Sequence, residues 1–269
     1  MYIRSKLNQN ENFFEHKLIP SLHWVHTKKS TMAAVVSSEK KFQLYYFPLK
    51  AKGLGVALIA QFSGLPWDGP ASLNYDVRKN WKELKSSGDC VFGQLPYLKT
   101  AQGVGINQTT AIVQYISKLA GSTLEGANEE DWIMNQMLIA EAEDLYTALQ
   151  KYQPTLYVSL GRPDRFKADL EGHRFYWATW VPKQFKMVEA LFRGKPHLTT
   201  TGFTAGELLL FSYVHQMVLV QPADMLEGFP ALSSWYKIVL NDENTQAVLN
   251  GKSNFGNLEN YFVKVEGEN

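Results

Sequence analysis

The sequence is poor in cysteine, in net charge and in long apolar segments. Cys90 is the only cysteine among 269 residues, so an intrachain disulfide cannot form and a small disulfide-stapled fold is excluded. No apolar run reaches the roughly 20 residues of a membrane-spanning helix, and the first residues lack the apolar core of a secretory signal. The net charge of +1 gives no electrostatic reason to expect nucleic acid or an acidic membrane as a partner. We therefore expect a globular protein that acts on a small molecule or another protein.

Residues 1–41 differ from the rest of the chain. They mix charged and polar residues with scattered aromatics, and Pro20 interrupts the one near-helical spacing. We predict an extension that docks on a surface, and a partly ordered tail is the alternative that the composition favours. Organelle transit peptides are poor in acidic residues, so Glu11 and Glu15 disfavour one here, and organelle targeting is kept as an alternative. The histidine pair in HWVH (23–26) has no further ligands nearby, so no metal site is predicted.

From Phe42 onward the pattern becomes regular. Three segments are strand-like and three are helical, with a Gly-, Pro- and Asn-rich loop after the first helix. The strand-like segments are FQLYYF (42–47), LPYLKT (95–100) and VGIN (104–107), and the helical ones are GLGVALIAQFSG (53–64), NWKELKSSG (80–88) and QTTAIVQYISKLAG (108–121). We predict a compact β-α-β-α-β-β-α layer over residues 42–121, in which the second strand is not among the three segments named.

After this layer the strand signals disappear. A polar, glycine-containing stretch predicts a linker over residues 122–128, and residues 129–269 contain helical patterns throughout. Thr204 and Glu207 form a T-x-x-E capping box that starts one of these helices. The sequence therefore predicts a small α/β domain followed by an all-helical domain.

Four stretches resemble the cytosolic glutathione transferases, most closely their tyrosine-type, sigma-like class. They are LYYFPLKAKG (44–53), NWKELKSSGDCVFGQLPYL (80–98), INQTTAIVQYI (106–116) and FTAGELLLF (203–211). Their order and spacing carry the resemblance, which covers residues 42–255. It implies a thioredoxin-like, glutathione-binding domain over 42–121 and the all-helical domain of the glutathione transferase fold after it.

The resemblance implies how the α/β domain would hold glutathione. Pro96 stands at the family's cis-proline, where Leu95 would pair its backbone with the cysteinyl residue of the peptide. Gln94 would add a contact. Gln108 and Thr109 open a helix whose N-terminus suits the γ-glutamyl carboxylate, and most members have serine in place of Thr109. Helix capping alone would equally account for Thr109.

Three further positions match binding residues of the family. Trp81 and Lys85 lie four apart on one helix face and would reach the glycine carboxylate, although a half-buried aromatic beside a solvated lysine gives the same pattern. Asp144, and near it Glu141, lie where family dimers direct an acid toward glutathione in the neighbouring subunit. A solvated acid is an equally good interpretation of Asp144.

Tyr46 matches the family's catalytic tyrosine. The glutathione thiol is mostly protonated near neutral pH, and a tyrosine hydroxyl that donates a hydrogen bond to sulfur favours the nucleophilic thiolate. Tyr45 is the alternative, on the opposite strand face, but the family pattern L-x-Y-F selects Tyr46. Sigma-like enzymes carry arginine shortly afterwards, and this chain has Lys52 there, which keeps the charge without the planar fork.

The turn after the first strand, FPLKAKG, contains neither cysteine nor serine. Dithiol chemistry of the thioredoxin kind needs a cysteine in this turn, and the serine-type transferases need a serine. Cys90, near the third strand, is interpreted as a packing residue.

The resemblance implies an enzyme that conjugates glutathione to small hydrophobic electrophiles, with peroxide reduction or isomerisation as related activities. It further implies a homodimer, a cytoplasmic location and a role in detoxification. The alternative is a non-catalytic structural or scaffold subunit of a larger assembly, which the extension 1–41 and the departure at Lys52 favour.

Overall fold

The computed structural model describes residues 42–156, 170–192, 195–221 and 223–264. The extension 1–41, with its histidine pair, lies outside these residues, and its docking role stays a prediction. Within the described parts of the chain, no helix combines the length and the apolar character that crossing a bilayer requires.

The first described part is the α/β layer that the sequence predicts. Its elements are β1 (Phe42–Tyr45), α1 (Lys50–Phe62), β2 (Trp67–Asp68), α2 (Val77–Ser86), β3 (Tyr97–Lys99), β4 (Gly105–Asn107) and α3 (Thr109–Ala120). They form a four-stranded sheet of order β2-β1-β3-β4. β1 pairs with β2 in parallel, whereas the β1–β3 and β3–β4 pairs are antiparallel. This confirms the predicted order of strands and helices, and the second strand, β2, lies in the segment after the first helix that was predicted to be a loop.

Helix α1 lies in the middle of the molecule. Most of its residues are apolar and buried, which is why the helix has no polar face. Gly55 allows this close packing, because a Cβ there would meet a Leu209 side-chain carbon at 2.6 Å and the Ser212 hydroxyl at 2.9 Å. The helix that carries Leu209 and Ser212 therefore lies directly against α1.

The remaining described elements are helical. They are α4 (Ser122–Glu125), α5 (Glu129–Tyr152), α6 (Leu170–Phe175), a π-helical turn (Tyr176–Trp180), α7 (Val181–Phe192), α8 (Ala205–Val220), a 3₁₀ turn (Ala223–Leu226), α9 (Pro230–Asn241) and α10 (Glu243–Leu249). Helix α8 is buried on nearly all sides between α1 and α5. The short helix α4 occupies part of the segment 122–128 for which the sequence predicts a linker.

Glu207 is buried at the start of α8. Its carboxylate accepts the Leu198 N–H at 2.8 Å and the Thr204 N–H at 3.3 Å, the second being the return bond of the predicted capping box. Burial raises the pKa of Glu207 to about 7, although these two N–H donors favour the charged form. A buried carboxyl that titrates near neutrality makes the stability of this helix sensitive to pH.

We expect the Glu207→Gln variant to lose that sensitivity. The folded state binds the Glu207 proton more tightly than the unfolded state, whose pKa is near 4.5, so this stabilisation is present at acid pH and is lost as the pH rises through about 7. The gap in unfolding free energy between the two proteins should therefore shift by about 2 kcal/mol in favour of the variant between pH 5 and pH 8. Thermal unfolding of both proteins across this range measures the gap, and a gap independent of pH would contradict the expectation.

The C-terminal segment (residues 257–264) returns across the junction of the two parts. Glu259 pairs with the turn after β1, where its carbonyl accepts the Lys50 N–H at 2.8 Å and its N–H donates to Pro48 O at 3.0 Å. Further along, Phe262 pairs with Thr155, just beyond the end of α5. The segment thus ties the turn that follows Tyr46 to the long helix of the helical part.

Candidate functional site

A cleft of about 540 Å³ opens where the α/β layer meets α5 and the C-terminal segment. Its walls bring together residues predicted from separate stretches of sequence. They are Tyr46, Lys52, Trp81, Lys85, Gln94, Leu95, Pro96, Gln108 and Thr109, and the walls also include Phe47, Leu49, Gly93, Tyr146, Gln150 and Tyr261. Asp144 is exposed on α5 and is not part of the described lining, so its role across a subunit interface stays a prediction.

Tyr46 follows β1 directly and faces the cleft. Its side chain is buried, and its hydroxyl accepts the backbone N–H of Lys52 at 3.3 Å. A Cβ on Gly53 would meet the Tyr46 ring at 2.5 Å, so glycine is needed there for the ring to lie against α1. Tyr45 points elsewhere, because its hydroxyl donates to Gln43 Oε1 at 2.9 Å. Of the two adjacent tyrosines, Tyr46 is the one that lines the cleft.

Lys52 makes one contact through its backbone and another through its side chain. Its backbone N–H donates to Tyr46, while its ammonium forms a salt bridge with Glu143 Oε2. The other oxygen of Glu143 accepts the Tyr213 hydroxyl at 3.0 Å, and the Lys52 ammonium lies 5.0 Å from the centre of the Tyr146 ring. The positive charge that the sequence assigns to this position is therefore present, and a carboxylate from α5 is paired with it.

Hydrogen bonds from the side chains of Asn107 and Cys90 hold the loop that precedes β3. The Leu95–Pro96 peptide bond is cis, as the family resemblance implied. The Gln94 carbonyl accepts the Asn107 side-chain N–H at 2.9 Å and the Cys90 thiol at 3.2 Å. Cys90 is thus a buried residue that supports this loop, in keeping with its interpretation as a packing residue.

The N-terminus of α3 forms the far end of the cleft. Gln108 precedes the helix with a φ of +74°, a conformation that a residue other than glycine seldom adopts, and its side chain donates to Gln94 Oε1 at 3.2 Å. The Thr109 side chain is buried, and its hydroxyl has no hydrogen-bond partner among the described residues. A polar group without a partner at a helix N-terminus, within a cleft, is suited to an anionic ligand.

Helix α2 contributes two polar side chains to the cleft, Trp81 and Lys85. Trp81 packs edge-on against Phe47, with ring centres 6.0 Å apart. The stem of Lys85 passes Gly93, where an added Cβ would lie 3.0 Å from Lys85 Cε. Both side chains reach the cleft, which confirms that they share one face of α2. The cleft therefore combines hydrogen-bond donors from α2 and from the N-terminus of α3 with the Tyr46 hydroxyl.

Sequence reasoning did not identify the side of the cleft that the helical part provides. Glu143, Tyr146 and Gln150 recur at helical spacing on α5, so their common face was a signal available in the sequence. Burial raises the pKa of the Tyr146 hydroxyl well above its ordinary value, so this group stays protonated. Tyr261, from the C-terminal segment, has no local signal that would mark it as a cleft residue.

No family model matches the chain. In sequence, it is 25% identical over 210 residues to a glutathione S-transferase of Anopheles gambiae, a match that spans 77% of this chain and 95% of that relative. In structure, it is similar to prostaglandin synthase D of Nilaparvata lugens, with a TM-score of 0.61 and 20% identity over 77% of this chain and 96% of the other. It is also similar to the glutathione S-transferase of Ascaris lumbricoides, with a TM-score of 0.59 and 20% identity over 77% and 94% of the two chains.

The structural matches show that the chain has the glutathione transferase fold, as its sequence predicts.

Proposed function

We propose that this protein is a tyrosine-type glutathione transferase, closest to the sigma-like class, which conjugates glutathione to small hydrophobic electrophiles. The observation that carries the proposal is the convergence on one cleft of residues from three of the four stretches that resemble the family. The sequence relation to a protein named glutathione S-transferase supports the same assignment.

The γ-glutamyl end of glutathione is assigned to the N-terminus of α3. Its carboxylate would accept the Thr109 hydroxyl, whose buried oxygen has no partner among the described residues, and the first N–H groups of the helix. Gln108 lies beside it and is held by Gln94. Because a carboxylate forms stronger hydrogen bonds than a neutral group, this end contributes much of the affinity.

The rest of the peptide follows the cleft away from α3. The cysteinyl residue pairs with the Leu95 backbone before Pro96, and the glycine carboxylate reaches the Trp81 indole N–H and the Lys85 ammonium. This pose places an anion at each set of donors and the thiol between them, close to Tyr46.

Tyr46 activates the thiol by hydrogen bonding. Its oxygen accepts the Lys52 N–H, and in the complex its proton is assigned to the bound sulfur. The thiol proton leaves to solvent, the thiolate forms the new S–C bond with the electrophilic carbon, and either a leaving group departs with its electron pair or an activated double bond takes up a proton. Tyr146, Gln150 and Tyr261 form the side of the cleft on which the electrophile lies.

Peroxide reduction and isomerisation use the same thiolate. The structural similarity to a protein named prostaglandin synthase D makes prostanoid isomerisation the first such activity to assay. The role in detoxification and the cytoplasmic location remain predictions of the sequence resemblance.

We expect substitutions at Lys52 and Glu143 to shift the thiol pKa in opposite directions. Lys52→Met removes a positive charge near the thiolate, so the midpoint of thiolate formation should rise, by about 0.5 to 1 pH unit. Glu143→Gln keeps an acceptor for Tyr213 but removes the charge that balances Lys52, so the midpoint should fall by a similar amount. Ultraviolet titration of the bound thiol measures both, and shifts of the same sign would contradict the electrostatic role of the pair.

The proposal is tested by retention of the full-length protein on immobilised glutathione, followed by a conjugation assay with a chromogenic electrophile. Retention together with turnover is expected. Retention without turnover by any electrophile would leave a glutathione-binding protein that is not a transferase. Absence of both would reject the proposal and favour the scaffold subunit.

We also propose that the protein forms a homodimer. Large apolar side chains are exposed in the loop before β3, where Val91 and Phe92 are 73% and 64% exposed, and along α5, where Trp132 and Met137 are about half exposed. Exposed apolar side chains of this size are typical of interaction surfaces. Asp144 would act across this interface, on glutathione bound to the partner subunit. Analytical ultracentrifugation measures the oligomeric state, and a protein that stays monomeric at micromolar concentration would contradict both statements.

A further inference from the structure

The backbone at Ala51 is strained. Its φ of +22° and ψ of −120° interrupt the first turn of α1, and a residue with a Cβ rarely adopts this conformation. Ala51 is buried and lies between Tyr46 and Lys52, the two residues joined by the hydrogen bond at the Tyr46 hydroxyl. A strained residue at this position needs contacts from its surroundings to hold it.

Gln216 provides such a contact from the helical part. Its side-chain amide nitrogen, on α8, donates to the Ala51 carbonyl at 2.8 Å and to the Ser212 carbonyl of its own helix at 3.0 Å. Gln216 is buried, and its Oε1 has no partner among the described residues. The two donated bonds are therefore what orients this amide.

The peptide group between Ala51 and Lys52 has a hydrogen-bond partner at its carbonyl and another at its N–H. The Ala51 carbonyl and the Lys52 N–H belong to the same planar trans peptide, so their directions are linked and nearly opposite. Gln216 binds the carbonyl end, and the Tyr46 hydroxyl binds the N–H end at 3.3 Å. Fixing one end of this peptide therefore fixes the direction of the other.

We propose that Gln216 is a positioning residue for thiol activation: it holds the strained Ala51–Lys52 peptide so that its N–H points at the Tyr46 hydroxyl. This inference rests on the proposed glutathione transferase function. The Lys52 N–H donates to the Tyr46 oxygen, and this bond holds the hydroxyl in the cleft, where the bound sulfur is assigned. Without Gln216 the peptide can rotate toward an unstrained conformation, and this N–H turns away from Tyr46.

The substitution that tests the inference is Gln216→Met, which has a similar length but no donor. We expect kcat for conjugation to fall by about tenfold and the pH midpoint of thiolate formation to rise by roughly half a unit or more. The glutathione KM should stay within about twofold, because Gln216 touches no residue assigned to the peptide's ends. Gln246→Met is the matched control, since Gln246 also donates to a helix carbonyl, that of Leu240 at 2.6 Å, but has no bond to the Ala51–Lys52 peptide.

Strain at Ala51 provides a second and independent test. Glycine adopts the observed backbone conformation without steric cost, so Ala51→Gly in the Gln216→Met background should restore most of the lost kcat and the original pH midpoint. A double variant no better than Gln216→Met alone would overturn the proposal. So would a folded Gln216→Met protein with unchanged kcat and midpoint, or an equal loss in the Gln246→Met control.

Thermal unfolding checks that each variant is folded. If Gln216→Met does not fold, Gln216→Asn keeps an amide in the same place but is one methylene too short to reach both carbonyls, and the same loss is expected from it. An unchanged midpoint in a folded Gln216→Asn protein would likewise overturn the proposal. Thiolate formation in the parent protein distinguishes a failure of the proposed function from a failure of the role of Gln216. If it forms no thiolate, the proposed function fails, whereas a normal parent with unaffected variants removes only the role of Gln216.

Discussion

Replacing Tyr46 with phenylalanine is expected to lower the turnover of glutathione conjugation by about 100- to 1,000-fold, the usual loss when one hydrogen-bond donor to a developing anion is removed. The ring would keep its place against Gly53, so the cleft should retain its shape. Without the hydroxyl, the bound thiol has no donor and stays largely protonated near neutral pH. Steady-state kinetics should therefore show a fall in kcat with little change in the glutathione KM.

Tyr45→Phe is the matched control for this prediction. It removes the same atom from the preceding residue, whose hydroxyl donates to Gln43 and does not line the cleft. Its turnover should stay within about twofold of the parent protein. A Tyr46→Phe variant with the turnover of the parent, or an equal loss in Tyr45→Phe, would remove Tyr46 from its catalytic role.

Replacing Thr109 with valine is expected to weaken glutathione binding by about 10- to 100-fold, because a hydrogen bond to a charged group contributes about 1.5 to 3 kcal/mol. The protein without glutathione should not lose stability, since the Thr109 hydroxyl is buried and has no partner among the described residues. Valine has nearly the same shape and removes the desolvation penalty of that hydroxyl. The melting temperature without ligand should thus be equal or higher, while the rise that glutathione produces should largely disappear.

Thr109→Ser is the control, because it keeps the hydroxyl and introduces the residue that most of the family carries. Calorimetric titration should give it nearly the parent affinity. A Thr109→Val protein that binds glutathione normally would show that this hydroxyl only caps α3. A Thr109→Val protein that is destabilised without ligand would show that the hydroxyl has a partner in the folded state.

The glutathione half of the cleft was accessible from the sequence. Tyr46, Pro96 and Thr109 each stand at a junction of a strand or helix, and short local patterns mark such junctions. The order of these elements along the chain was enough to predict the α/β layer, whereas the convergence of the three side chains followed from the resemblance to the glutathione transferases. The all-helical part followed from the absence of strand patterns after α3.

The contacts across the two parts of the chain were not accessible in the same way. Tyr261 lines the cleft, whereas Glu143 and Gln216 contact Lys52 and Ala51 beside it. All three are brought there by tertiary packing of α5, α8 and the C-terminal segment. Such contacts depend on tertiary packing, which the local pattern around each residue does not encode. The positive φ of Ala51 shows the same limit. Glycine is the residue that usually marks a positive φ in a sequence, and position 51 is an alanine.

Lys52 illustrates how packing changes the interpretation of a residue. The sequence marks it as a cation that replaces the family's arginine beside the thiol. In the structure its ammonium is paired with Glu143, and its backbone N–H is what meets the Tyr46 hydroxyl. Its contribution therefore comes from the main chain as well as from the side-chain charge.

The most direct test of the account is a pH titration of the ultraviolet thiolate absorbance of glutathione bound to the full-length parent protein. The free thiol has a pKa of about 8.5, and the account predicts a bound midpoint about one to two units lower, which returns toward the free value in Tyr46→Phe. A bound midpoint equal to that of free glutathione, under conditions where calorimetry shows the site to be saturated, would contradict it.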